Sequence, residues 1–160
     1  MGVLTEFLRK EGPQLLAAQR EETEQILEWK EAVDRLMDQL ESWLNDADPD
    51  HLLLCSRNVR PYDNGRHRYV SMPELIVRLG NRNVRIFAKA RFIAGPVWFA
   101  GDTAPHPANG RVDIVDDLDG NFALYRLRVE TQDLWYMMSS GIAYPLDRTR
   151  FEAAVTTLLK

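Results

Sequence analysis

Five cations fall within the fifteen residues RLGNRNVRIFAKARF: Arg78, Arg82, Arg85, Lys89 and Arg91. Guanidinium groups at this density suit phosphate, because the planar fork donates two parallel hydrogen bonds to one anion. Phe87, between them, could stack a nucleobase. The five are therefore the candidate anion-binding residues, with DNA or RNA as the ligand class. Against this stands a net charge of −4 and an isoelectric point near 5.4. Acids close to such a patch repel a phosphate backbone.

The remaining candidates for chemistry are sparse. The histidines, His51, His67 and His106, are far apart and share no metal-ligand spacing. A single cysteine, Cys55 in LLLCS, excludes both an intramolecular disulfide and a cysteine-based zinc site, and reads as a small buried hydrophobe. The acids Asp113, Asp116, Asp117 and Asp119 superficially form a calcium loop. With Asp117 in position 1, however, glycine falls at position 4 and Arg128 at position 12, where calcium loops need position 6 and a carboxylate. No glycine-rich phosphate loop or nucleophile elbow occurs. The expectation is a non-catalytic protein with no cofactor, no metal site and no catalytic residue.

The elements that carry these residues follow from periodicity. Thr5 to Lys10 reads as a short opening helix ended by Gly12, and Pro13 as the start of a second helix that runs to about Asn45 and stops at NDADPD. In the second helix Ile26, Trp29, Val33, Leu36, Leu40 and Trp43 are spaced 3, 4, 3, 4, 3, an a/d seam. Counting back one heptad gives Gln19 and Glu22, so the seam fades upstream. A helix from Pro13 to Asn45 would be about 50 Å long at about 1.5 Å per residue. Part of it must then project or pack on another chain, and Trp29 is the best-placed interface anchor. The six seam residues are the candidate partner interface.

After Pro49 the texture changes to alternation and turns. LIVRLGNRNVRIFAKARF is a hairpin around residues 80–83, RVDIVDDLDGNFALYRLRV a second around Asp119-Gly120, and LWYMM and GIAYPL a third around Ser139-Ser140-Gly141. Residues 52–72 suggest one more, around Asp63-Asn64-Gly65. GDTAPHPANG reads as a surface loop. Thr149 and Glu152 form a capping box for a last helix with Phe151, Ala154, Val155, Leu158 and Leu159 on one face. The expected fold is α+β in a single domain, residues 1–160. A helical segment (1–48) leads into an antiparallel meander of six or seven strands (52–146), and a short helix (149–159) follows.

A four-residue turn in the 74–92 hairpin sets Leu79, Val77 and Leu75 opposite Val84, Ile86 and Ala88 on a core face. The outer face then pairs Arg78 with Arg85, Ile76 with Phe87 and Glu74 with Lys89. An apolar centre with a cationic rim, like charges facing each other, calls for a cover. Three covers are considered: the acidic helix of this chain, with Ile26, Trp29 and Val33 on Ile76 and Phe87 and Glu24, Glu28, Glu31 or Asp34 near Arg78 and Arg85; a partner chain; and a polyanion. Residues 1–50 carry a net −8 and residues 51–91 a net +7, which the first cover accounts for. A curved meander under a helix also offers a pocket for a small apolar ligand. The leading expectation is a protein–protein interaction module, self-associating through the acidic helix. With no signal-peptide pattern and no uncharged run long enough to span a bilayer, a cytoplasmic, membrane-free protein is expected.

Overall fold

The computed structural model describes residues 2–63 and 69–160. The turn at residues 64–65 and His67 lie outside the described residues. Nine elements follow in order: α1 (Val3–Ala47), β1 (Leu54–Asp63), β2 (Tyr69–Leu79), β3 (Arg82–Ala90), β4 (Arg111–Asp116), β5 (Asn121–Val129), β6 (Gln132–Ser139), β7 (Ile142–Pro145) and α2 (Arg148–Leu159). The strands form one antiparallel sheet in sequence order, β1 to β7. This is the expected α+β meander, with seven strands.

The first two helices of the sequence reading are one. α1 runs unbroken for 45 residues through Gly12 and Pro13, about 67 Å at about 1.5 Å per residue. Proline removes one N–H from the ladder and costs about 3 kcal/mol in a helix interior. The flanking leucines, alanines, glutamates and glutamines are strong helix formers, and they carry the helix across it. Beyond its end, the Asp48 carboxylate accepts from the backbone N–H groups of Leu52 and Leu53, both at 2.8 Å, which turns the chain into β1.

The core lies between one face of the sheet and the two helices. Leu75, Val77, Val84, Ile86, Val112 and Ile114 meet Trp29, Val33, Met37 and Leu40 of α1 and Phe151 and Val155 of α2. α2 starts two residues earlier than its sequence suggests. Asp147, not Thr149, is the N-cap, and its carboxylate accepts from the Arg150 N–H at 2.7 Å. Its apolar face, Phe151, Ala154, Val155 and Leu158, is buried as expected. On the opposite face of β5 to β7 the segment 93–108 folds back, burying Val97, Phe99 and Ala108 against Tyr125, Tyr136 and Ala143. The GDTAPHPANG segment is therefore partly a cover, anchored by antiparallel bonds between Val97 and His106.

The β2–β3 hairpin turns on two residues, Gly80 and Asn81, with Gly80 at φ 59°. The pairs are Leu75–Ile86, Val77–Val84, Ile76–Arg85, Glu74–Phe87 and Arg78–Asn83. The register differs by two residues from the expected one, so every side chain keeps its face while no pair survives. A two-residue turn with positive φ matches strand twist better than a four-residue one, and it removes the Arg78–Arg85 clash.

Candidate interaction site: the free half of α1 and the groove beside it

The acidic helix does not cover Ile76 and Phe87. α1 lies on the other face, where the hairpin presents Leu75, Val77, Val84 and Ile86 to the apolar side of the helix. The outer face satisfies itself. Glu74, 5% exposed, receives Arg60 at 2.9 Å and Arg85 at 3.5 Å. The Arg60 guanidinium lies 3.8 Å from the centroid of the Phe87 ring, a cation–π contact that shields the ring with an arginine stem. Asp113 receives Arg111 at 2.7 Å.

The five cations of the opening stretch do not converge. Arg78, Arg85 and Lys89 share the outer face, with Arg85 held by Glu74. Arg82 lies beside Asp116, Asp117 and Leu158, on the α2 side. Arg91, past the irregularity between Ala88 and Ala90, donates to Gln25 of α1 at 3.0 Å and lies over Phe92. The acids of α1 meet other cations. Arg57 on β1 reaches Asp38 at 2.6 Å and Glu41 at 2.9 Å, and Arg148 reaches Asp46 at 2.5 Å.

A tighter network holds the middle of α1. Arg126, on β5, is 2% exposed beneath the helix. Its Nε donates to Asp133 at 2.7 Å, and its Nη groups donate to Glu28. Arg35 reaches the other oxygen of Asp133 at 2.8 Å, and Arg128 reaches Glu28 at 3.0 Å. Burial opposes ionisation of Asp133, but the hydrogen bonds from Arg35 and Arg126 outweigh it and hold its carboxyl below the ordinary range. Trp29 lies beside this network, its ring 6.3 Å from that of Trp135. Gly110 faces the indole: a Cβ there would lie 2.5 Å from Cη2.

The six seam residues divide by burial. Trp29, Val33, Leu36 and Leu40 are core side chains of this chain, which corrects the choice of Trp29 as an interface anchor. Ile26 and Trp43 keep partial exposure, and Trp43 packs on Phe151, 5.9 Å between ring centroids. What projects is the other half of the helix. From Val3 to Gln25 no residue is buried, and Val3, Leu4, Phe7, Leu8, Leu15 and Leu16 are 45 to 85% exposed. Leu4, Leu8, Leu15, Ile26, Trp29 and Val33 are separated by 4, 7, 11, 3 and 4 residues, all close to whole turns. The stripe that enters the core therefore continues along the free half. Gly12 leaves a notch in it, between Leu8 and Leu16.

Beside the buried half, between α1 and β6, runs an open groove of about 780 Å³. Leu36, Trp43, Trp135 and Leu146 supply apolar walls, and Arg35, Glu28, Asp133 and Arg128 form a charged rim.

The sites of chemistry stay separate. His106 pairs with Asp102 at 2.5 Å and stacks on Phe99. Cys55 is half-buried; burial, then the charges of Glu41 and Asp48, push its thiol up, away from the reactive thiolate. Among the described residues no group of three or more His, Cys, Asp or Glu could hold a metal ion, and no helix is long and apolar enough to cross a membrane. Comparison with family models, curated proteins and solved structures gives no match.

Proposed function

We propose that the protein is a non-catalytic protein–protein interaction module that works through the projecting half of α1 and self-associates. The observation that carries this reading is the exposed apolar stripe on residues 3–16 of a helix whose other half is anchored in the core. An isolated helix of this length is marginal in water. Continuity with the anchored half presents this one as a rigid rod, so little ordering is left to oppose binding. Each large side chain moved out of water contributes about 1.5–3 kcal/mol. A stripe of six such residues is thus enough to hold a partner once the cost of association is met. The cationic outer face is a weaker candidate for anions, because Glu74 and Asp113 already neutralise its centre.

The test is sedimentation velocity on the full chain. The wild type should sediment as a dimer at micromolar concentration. The double variant Leu8→Asp/Leu15→Asp should sediment as a monomer that keeps the wild-type far-ultraviolet circular dichroism at 25 °C, since both side chains are about half exposed in the single chain. A wild type that stays monomeric at hundreds of micromolar contradicts self-association.

A further inference from the structure

We infer that the groove between α1 and β6 is the receptor for the projecting half of α1 from a second copy, so that two chains exchange helices reciprocally about a twofold axis near residues 25–26. This rests on the reading above and names its partner and geometry.

Three features of the molecule lead to this pairing. The first is direction. The free stripe lies on the same face of the helix as the side chains that rest on the sheet, Trp29 and Val33. What fits beneath it is therefore the same kind of surface: the helix-bearing face of another sheet. A helix-to-helix zipper of the free halves alone would leave no sheet under them.

The second feature is the vacancy. On this chain's own sheet α1 packs on β2 and meets β5 at Arg126, and the place next to it over β6 is the groove. A second helix lying there would run beside α1 in the same layer. Its apolar side would meet Trp135 and Leu146, and its flank would meet Leu36, Gln39 and Trp43. With the twofold axis normal to that layer, both helices keep their apolar sides toward the sheets. Each free half then falls into the other chain's groove.

The third feature is length. The groove follows α1 from Glu28 to Trp43, about 22 Å at about 1.5 Å per residue. The free stripe from Leu4 to Leu16 covers about 18 Å by the same rise. An antiparallel pairing in which paired positions sum to about 51 sets Leu8 at Trp43 and Leu15 at Leu36, with Leu4 one turn beyond the groove's end. It also sets Arg20 at Glu31, an opposite-charge pair made twice. Each chain then contributes one stripe and one groove.

The experiment uses two full-length single-cysteine proteins, both carrying Cys55→Ser. One has Lys10→Cys on the free half, and the other has Gln39→Cys in the groove. Both sites are exposed, so the fold is preserved in each. Mixed in equal amounts and oxidised mildly, they should give the 10–39 mixed disulfide as the main dimeric product. A main product of 10–10 disulfide means that free halves pair with each other; that overturns the groove assignment and leaves the interaction module intact. No disulfide above that of a Lys10→Cys and Asn58→Cys control mixture, together with a monomeric wild type, overturns both readings.

Discussion

Leu40→Asp unfolds the protein, whereas Leu8→Asp on the same helix leaves it folded. Leu40 has no exposed surface and lies in the core between α1, the sheet and α2. Deleting its side chain alone costs about 2–5 kcal/mol. The introduced carboxylate meets no cation there, and an unpaired polar group in an apolar site adds several kcal/mol more. Domains have about 5–15 kcal/mol in total, so the native state is largely or wholly lost. Leu8 is 52% exposed on the projecting half, where a carboxylate is hydrated. Near-ultraviolet circular dichroism at 25 °C should show no tertiary signal for Leu40→Asp and the wild-type signal for Leu8→Asp. A folded Leu40→Asp would mean that the seam is not internal core.

Arg126→Met destabilises the protein by about 3–5 kcal/mol, the range expected when one partner of a buried ion pair is removed. Methionine fills much of the same space, so the loss is electrostatic. Asp133 keeps Arg35, and Glu28 keeps Arg128, but both lose Arg126, which lies beneath the helix and reaches each of them. The deficit depends on pH, with a fixed sign. Asp133 has a lowered pKa in the folded protein. Its contribution is present above the ordinary carboxylate range, near 3.9, and is lost as pH falls through the lower folded value. Wild type and variant should differ most at pH 6–7 and converge as pH drops below about 4. Urea unfolding across that range reads both. Adding Asp133→Asn to Arg126→Met should recover part of the loss, because the two substitutions act on one contact. An unchanged deficit at low pH would remove the Asp133 pair as the source.

Much of the fold is written in local patterns. The alternation in LIVRLGNRNVRIFAKARF assigns both faces of the hairpin correctly even though the register is two residues away, because side-chain orientation has a period of two and turn length does not enter it. The break at Gly12–Pro13 misleads for the opposite reason. Two unfavourable residues stop a helix only when the flanking sequence does not carry it across, and here it does. Dividing the helix there also hides the stripe. Leu4, Leu8 and Leu15 are in line with Ile26, but Gln19 and Glu22 interrupt the heptad count, and spacings of 4, 7 and 11 connect them. The covering of Phe87 is not legible at all. It depends on Arg60 and Glu74 arriving from two strands, a pairing set by register rather than by composition. Arg126 is hidden in the same way, an ordinary arginine in a strand until α1 is laid over it.

The central claim is that one continuous helix has an anchored half and a half made for a second chain. Amide hydrogen exchange along α1, followed at low and high protein concentration, tests it most directly. The account expects amides of residues 29–44 to be protected at every concentration, and amides of residues 4–20 to be protected only where the protein is associated. Residues 4–20 that exchange at one rate across the whole range would contradict it.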